Sequence, residues 1–155
     1  MNSKINRTLL SWTFIVTLAF TLSCSDDDDA APDPTLYTRL GGVDAISLVV
    51  DKFLTNVASD NVINTRFEAT VANASRLQLL RNNLIDQICA GSGGPCTYKG
   101  KTMLEAHTGM NITSAEFNAL VGDLVSALDF YKVPEKEKSE LLAVLGPMQT
   151  DIVGK

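Results

Sequence analysis

Tyr98–Phe117 reads YKGKTMLEAHTGMNITSAEF, and it contains His107, the only histidine among the 155 residues. Any imidazole chemistry of this chain must therefore take place in this stretch. Turn-forming residues precede it, Thr102–His107 is predicted to form a short helix, and Gly109 is predicted to end that helix. Met103 lies four residues before His107, so both side chains are expected on the same helical face.

Apolar residues recur at intervals of three and four on both sides of this stretch, which predicts an all-α domain. The predicted helices cover Leu36–Leu40, Val43–Ala58, a third helix that Asn73 or Ser75 caps and that runs to about Ala90, Thr113 to beyond Leu128, and Pro134 onward with a kink at Gly146-Pro147. The third helix is predicted to have an inner stripe of Leu77, Leu80, Leu84 and Ile88. Ser59–Asn73 is rich in Asp, Asn and Thr and is expected to be irregular, with Phe67 filling the core. Thr113 and Glu116 have the spacing of a capping box.

Residues 1–23 have the pattern of a signal peptide. Leu9–Leu22 is an uncharged apolar run, and it is shorter than the about 20 residues that span a bilayer comfortably. Ser23-Cys24 then resembles the processing site of bacterial lipoproteins, although Thr21 stands where that pattern usually has Leu. Cleavage there would leave Cys24 as a lipidated N-terminus. An ordinary secretory signal cut nearby and an uncleaved anchor remain open.

An acidic linker of residues 24–34 is predicted between that site and a domain of residues 35–155. Its run of consecutive Asp residues at 26–29 repels itself, so the linker is expected to be a solvated tether. An acidic stretch after a lipidated Cys resembles the surface-export signals of some Bacteroidetes lipoproteins. A plain linker that holds the domain off the membrane is the alternative. The chain is therefore expected to be exported and lipid-anchored, in the periplasm or at the bacterial cell surface.

The charge balance argues against a nucleic-acid partner. The full chain carries −5, and removal of residues 1–23 takes away Lys4 and Arg7, which leaves 11 basic against 18 acidic residues, or −7. The sequence has no cluster of Lys and Arg that could follow a phosphate backbone. Anionic lipid head groups would not attract such a chain, so its membrane attachment is expected to be the acyl group on Cys24.

Cys89 and Cys96 remain as a pair if Cys24 is lipidated, which suits an oxidising compartment. A disulfide between them would close a short loop and stabilise the fold by about 2–3 kcal/mol. Two free thiols are the alternative. The sequence has no CxxCH motif, so it carries no signal for c-type haem attachment.

A lone histidine restricts the kinds of site that His107 can form. Zinc sites need three or four protein ligands, and the chain has no second histidine. A Cys-His nucleophilic pair requires Cys89 or Cys96 to stay reduced nearby. Haem iron needs one protein imidazole, because the porphyrin supplies the equatorial nitrogens. A histidine with no special role also remains open on the residue types alone.

Residues from Leu36 to the C-terminus resemble a group I truncated haemoglobin, a bacterial-like globin with a two-over-two helical sandwich. The longest match is the ordered pattern Y-x-G-x-x-M-x-x-x-H-x-G-x-x-I-T-x-x-x-F over Tyr98–Phe117. The shorter matches are LYTRLGG at Leu36–Gly42, Phe67 ahead of the second long helix, SRL at Ser75–Leu77 and GGP at Gly93–Pro95. The resemblance implies haem b (iron protoporphyrin IX) as the cofactor.

Carried over to the matching positions, the resemblance makes His107 the proximal iron ligand and Phe67 the loop residue that packs on the porphyrin. The proximal side and edge of the haem are implied to be lined by Met103, Ile112, Phe117 and Val121. The distal side is implied to be lined by Leu77, Leu80, Arg81 and Leu84. Tyr98, Lys99 or Lys101 is implied to meet the propionates.

The distal side departs from the family pattern. Leu54 stands where a Tyr commonly hydrogen-bonds the ligand, and Arg81 stands where Gln is frequent. If Arg81 turns inward, its charged donor can stabilise a bound ligand by roughly 1.5–3 kcal/mol. If Arg81 turns outward to a propionate, the iron faces hydrocarbon, and dioxygen is expected to dissociate fast and to oxidise the iron. In either case the iron is expected to be five-coordinate or water-ligated, because the chain has no second histidine.

The resemblance implies reversible binding of dioxygen, nitric oxide or carbon monoxide, as in a ligand-binding protein rather than a dedicated enzyme. Two alternatives stay open, namely a haem enzyme (a nitric oxide dioxygenase or a peroxidase-like protein) and a cofactor-free interaction module. Peroxidase chemistry needs a distal acid or base. Nitric oxide dioxygenation needs a reductase, which would be a separate and unknown partner because this chain carries no flavin or nicotinamide motif.

Overall fold

This computed structural model describes residues 33–155, which contain seven α-helices and a short 3₁₀ helix joined by loops. They are α1 Leu36–Arg39, α2 Gly42–Ser59, α3 Asn64–Val71, α4 Ala74–Gly91, α5 Met103–His107, α6 Ser114–Phe130, α7 Glu135–Leu145 and the 3₁₀ helix Gly146–Asp151. Apart from one isolated bridge between Ile112 and Val153, the described residues contain no β-structure. The prediction of an all-α fold is confirmed. The predicted signal peptide, lipidated Cys24 and most of the acidic linker lie outside the described residues.

The core forms around α2, which packs against α3, α4 and α6. Its buried face repeats at three- and four-residue intervals, as an amphipathic helix requires, and consists of Ile46, Val49, Val50, Phe53 and Val57. The same cluster also contains buried side chains of α1, the turn before α3, α4, α6 and α7, namely Leu36, Ile63, Ile85, Ile88, Cys89, Leu124, Ala127, Leu128 and Leu141. Within residues 33–155, no helix is both long and apolar enough to cross a membrane.

The expectation of an irregular Ser59–Asn73 is wrong, because Asn64–Val71 form α3. The segment begins with a turn in which Asp60 Oδ1 accepts a hydrogen bond from the backbone N–H of Val62 at 2.8 Å. None of the residues of α3 is buried, so the helix has no apolar stripe that periodicity could reveal. Contacts with α2 and α4 hold it in place instead. Phe67 lies in α3 and packs against the core, as expected.

The start of α4 agrees with the sequence, since Asn73 caps it by accepting a hydrogen bond from the N–H of Arg76 at 3.0 Å. The predicted inner stripe is only partly right. Ile88 is buried, whereas the other buried members are Ile85 and Cys89, and the predicted Leu77, Leu80 and Leu84 are half-buried. The apolar stripe of α4 extends beyond the core at its N-terminal end, where the other described helices cover its side chains only partly.

A disulfide joins Cys89 to Cys96 across Cα atoms 5.7 Å apart, which confirms that pairing. The loop it closes lies tightly against α1. A Cβ at Gly94 would stand 2.5 Å from the ring of Tyr37 and 2.7 Å from Cys89 Sγ, so only glycine fits there. The backbone N–H of Tyr37 also donates to Ser92 O at 2.8 Å. The disulfide therefore fixes the loop that leads towards α5.

The helix type changes at Gly146-Pro147, where the sequence predicts a kink. The helix α7 stops at Leu145, and the 3₁₀ helix takes over. The C-terminal segment (residues 146–155) then runs beside the loop after α5. Asn111 N donates to Lys155 O at 2.6 Å, and Gly154 N donates to Ile112 O at 2.9 Å. The C-terminal segment thereby borders the region around His107.

Candidate functional site

The imidazole of His107 is oriented by a backbone carbonyl of its own helix. Its Nδ1 lies 2.7 Å from the carbonyl oxygen of Met103. Because a carbonyl can only accept, Nδ1 must carry the proton, and the lone pair of a neutral ring is then on Nε2. A metal-bound histidine is usually held in this way, with one ring nitrogen bonded to a carbonyl and the other free for the metal. His107 is half-buried, and within residues 33–155 the only hydrogen bond of its ring is the one at Nδ1, which leaves Nε2 for a ligand.

The short helix α5 positions His107 as its last residue. Thr102 and Glu105 form a capping box at the start, in which each side chain bonds the backbone N–H of the other residue. After His107 the chain turns away at Gly109, which has a φ of +84°. Gly109 therefore separates α5 from the next helix, as predicted. The capping box was present in the sequence as T-x-x-E but was not part of the prediction.

The apolar residues predicted to line the haem are mostly half-buried and lie outside the core cluster. This holds for Leu77 and Leu80 on α4, Met103 on α5, Ile112 in the next loop and Val121 on α6. Phe67 and Leu84 are half-buried and pack against the core, and Phe117 is buried with 9% of its surface exposed. Partly exposed apolar side chains on α4, α5 and α6 are what a flat hydrophobic macrocycle would cover.

A salt bridge connects the helix that carries Phe67 to the helix that carries Phe117. On α3, Arg66 Nε lies 2.7 Å from Glu116 Oε1 at the start of α6, and Arg66 Nη1 donates to Met110 O at 2.9 Å. The loop after His107 is thereby attached to both helices. The hydrogen bond from Arg66 and those from Thr113 lower the pKa of Glu116 to about 2.

The Thr113 and Glu116 capping box that the sequence predicts is confirmed at the start of α6. The role of Arg66 was not predicted, because no local pattern links a residue on α3 to a capping residue on α6.

Arg81 does not point freely into a pocket in this structure. Its guanidinium forms a two-point ion pair with Asp51 on α2, at 2.5 and 2.9 Å. Leu54, the residue that replaces the expected Tyr, lies three positions after Asp51 and packs against the core. Of the two orientations considered from the sequence, neither describes Arg81 fully, because its partner is a carboxylate of the neighbouring helix. Sequence spacing could not have identified Asp51.

The residues predicted to meet the propionates lie in the loop before α5. The hydroxyl of Tyr98 donates to the carbonyl of Lys101 at 2.8 Å, so its proton is used within its own turn. Burial raises the pKa of Tyr98 above its ordinary value. Lys99 and Lys101 are exposed. The side chains of both lysines are therefore open to solvent, whereas the Tyr98 hydroxyl stabilises the loop through its bond to Lys101.

The donor set fits haem better than a metal ion held by protein alone. Within residues 33–155, no three His, Cys, Asp or Glu side chains come together as a metal site would need. The two cysteines of this region are consumed by the disulfide, which also excludes the Cys-His pair. One half-buried imidazole, with partly exposed apolar side chains at the other predicted haem-lining positions, fits the single protein ligand that haem iron needs.

Comparison with known proteins agrees with this geometry. The family model described as "Bacterial-like globin" matches residues 35–153. The chain is 31% identical over 122 residues to a group 1 truncated haemoglobin of Mycolicibacterium paratuberculosis, covering 79% of this chain and 86% of that protein. It is 34% identical over 116 residues to one of Synechocystis sp., covering 72% and 90% of the two chains.

Solved structures match over the same range. The truncated haemoglobin of Tetrahymena pyriformis in its Fe(III) form has a TM-score of 0.71 and 30% identity, and it covers 79% of this chain and 100% of that one. The 2/2 haemoglobin of Synechococcus sp., solved in the cyanomet state with covalently attached haem, has a TM-score of 0.70 and 25% identity, covering 77% and 98%. The two-over-two helical fold is thus confirmed. The chain belongs to the bacterial-like globins, among the group 1 truncated haemoglobins, and its cofactor is haem b.

Proposed function

We propose that this chain reversibly binds a diatomic gas at the iron of haem b, with Nε2 of His107 as the proximal ligand. The observation that carries the proposal is the hydrogen bond from His107 Nδ1 to Met103 O, which leaves Nε2 as the metal-binding atom. Dioxygen, nitric oxide and carbon monoxide are the ligand class that the family membership supports.

The bound haem would supply an iron that can take a diatomic ligand. The protein side chains do the rest. Met103 O fixes the tautomer and rotation of the His107 ring. The half-buried apolar side chains of α4, α5 and α6 would exclude water from the bound haem. The Arg66–Glu116 salt bridge joins α3, which carries Phe67, to α6, which carries Phe117.

The iron is expected to be five-coordinate or water-ligated in the absence of added ligand. The chain has no second histidine to serve as a sixth ligand. The donors of Arg81 are engaged by Asp51, and Leu54 carries no hydroxyl, so the distal side offers little hydrogen bonding to a bound gas. A dedicated peroxidase is not favoured by this arrangement, because it needs a distal acid or base.

The test is the optical spectrum of the purified protein. The wild-type chain should show a Soret band and, after reduction, a high-spin spectrum that changes on addition of carbon monoxide. His107→Ala should lose the native Soret band, and His107→Gly should recover it with added imidazole. Leu104→Ala is the matched control, because Leu104 lies in the same helix and is 46% exposed. A native spectrum in His107→Ala would exclude His107 as the ligand. A low-spin six-coordinate reduced protein would contradict the expected coordination.

We also infer that the chain is exported and anchored by a lipid on Cys24, with residues 24–34 as the tether. The sequence pattern around Ser23-Cys24 supports this address, and so does the Cys89–Cys96 disulfide, because disulfides persist mainly in oxidising compartments. An as yet unknown reductase would be needed only if the iron turns over nitric oxide. Metabolic labelling with a fatty acid should mark the wild-type protein and leave Cys24→Ala unlabelled. Equal labelling of both would refute the anchor.

A further inference from the structure

We propose that Gln87 is a positioning residue for the proximal ligand, because it holds Met103, and through Met103 the imidazole of His107, in place. The inference rests on the proposed function, since it concerns His107 as the residue that binds the iron. Gln87 belongs to α4, the helix predicted to line the opposite, distal side. The side chain would therefore link the two sides of the haem.

The helix α5 cannot keep His107 in place by itself. It has five residues, and none of them is buried. Isolated helices of fewer than about 12 residues are marginal in water, because the first turn loses more conformational entropy than its single hydrogen bond offsets. The Thr102–Glu105 capping box fixes the first turn only locally. The position of His107 relative to the rest of the domain must therefore come from contacts made by α5 with other elements.

Gln87 provides such a contact. Its side-chain Nε2 lies 3.5 Å from Met103 Sδ on α5 and 3.3 Å from Met148 Sδ in the 3₁₀ helix. An amide NH₂ has two protons, so each sulfur can accept one, although a thioether is a weak acceptor. Gln87 is half-buried, which limits competition from water. One side chain therefore holds α4, α5 and the C-terminal segment together.

Met103 passes this constraint to the imidazole. Its side chain is bonded to Gln87, and its carbonyl oxygen accepts the proton of His107 Nδ1 at 2.7 Å. Met103 is the first residue of α5, and it carries both the carbonyl that orients the His107 ring and the side chain that contacts α4. Groups that orient a metal-binding histidine without touching the metal tune such sites, and their loss typically weakens metal binding on the order of 10- to 100-fold.

The C-terminal segment also contacts both Gln87 and the loop after His107. Its residue Met148 shares the amide of Gln87, and farther along it is bonded to the loop after His107 through Lys155 O and Gly154 N. The 3₁₀ helix also packs directly against α5. Gln87 of α4 and the C-terminal segment thus both contact α5, and the amide of Gln87 is bonded to both Met103 and Met148.

The experiment replaces Gln87 with Leu, which has a similar volume and no donor, in the full haem-loaded protein. The iron–histidine stretching band of the reduced protein, measured by resonance Raman spectroscopy, should shift or broaden, and haem should dissociate about 10-fold faster. Gln78→Leu is the matched control. Gln78 lies on the same helix, but it is exposed and donates only to Asn82 one turn away, at 2.7 Å. The control should keep the wild-type band and dissociation rate.

Met103→Leu supplies the second arm, because it removes the sulfur but keeps the carbonyl that His107 uses. The band shift of the Gln87→Leu, Met103→Leu double variant should be no larger than that of either single variant, since all three lack the same contact. An iron–histidine band at the wild-type position in both single variants would overturn the inference, even if their stability fell. Absence of a Soret band from the wild-type protein would instead overturn the proposed function itself.

Discussion

The guanidinium of Arg81 and the carboxylate of Asp51 form a two-point ion pair between α4 and α2, with Nε to Oδ1 at 2.5 Å and Nη2 to Oδ2 at 2.9 Å. The hydrogen bond from Arg81 holds the pKa of Asp51 below its ordinary value, so the pair is fully charged at neutral pH. The one charged donor that the family resemblance places on the distal side is therefore already engaged. The ion pair with Asp51 therefore leaves few hydrogen-bond donors for a bound gas on the distal side.

Replacing Arg81 with Leu should therefore change gas dissociation less than about twofold. A guanidinium that bonded the ligand directly would contribute roughly 1.5–3 kcal/mol, and its loss would speed dissociation on the order of 10- to 100-fold. The ion pair is partly exposed, so the same variant should lose less than about 1 kcal/mol of unfolding free energy. Stopped-flow displacement of carbon monoxide and dioxygen measures the first quantity, and urea unfolding measures the second.

Two further variants make the Arg81 result specific. Arg76→Leu changes an exposed arginine of the same helix and should leave the dissociation rates at the wild-type value. Asp51→Asn removes the charge that holds Arg81 and should slow ligand dissociation, because the guanidinium is then able to turn towards the ligand. A large acceleration in Arg81→Leu would show that Arg81 leaves Asp51 when a ligand binds.

The Arg66–Glu116 salt bridge predicts a specific acid sensitivity. The folded-state pKa of Glu116 is about 2, below its ordinary value of 4.5, chiefly because Arg66 and Thr113 bond the ionised form. Stability from a depressed carboxyl pKa is present above the unfolded value and is lost as pH falls towards the folded value. The protein should therefore lose this contribution between about pH 4.5 and about pH 2.

Unfolding by urea at a series of pH values measures the effect. Glu116→Gln should be less stable than wild type at neutral pH, and the difference should shrink as the pH approaches about 2. Glu68→Gln, an exposed carboxylate of α3, serves as the control variant. A constant difference between Glu116→Gln and wild type across the whole range would show that the salt bridge is not the source.

The Cys89–Cys96 disulfide should make stability dependent on reductant. Opening this short loop increases the entropy of the unfolded chain and should lower the unfolding free energy by about 2–3 kcal/mol. Urea unfolding with and without dithiothreitol measures the difference. The Cys89→Ala, Cys96→Ala double variant should be insensitive to reductant, and an equal response of both proteins would rule out the disulfide as the cause.

Strong local patterns allowed much of the fold to be predicted from the sequence. The apolar face of α2 and the Thr113–Glu116 capping box were both predicted and are both present. The helix α3 was missed because its residues bury nothing and it depends on neighbours for support. Helical spacing placed Leu77 and Leu80 on a shared face of α4 but could not show that the described helices cover them only partly.

The candidate site divides in the same way. The sequence by itself determined that imidazole chemistry is confined to His107, and the ordered motif around it determined the family. The tertiary structure alone decided that Arg81 pairs with Asp51 and that Gln87 binds Met103. Both contacts join residues of different helices, which lie 30 and 16 positions apart in the chain. Their partners are set by helix packing, and packing depends on the whole core rather than on any local spacing.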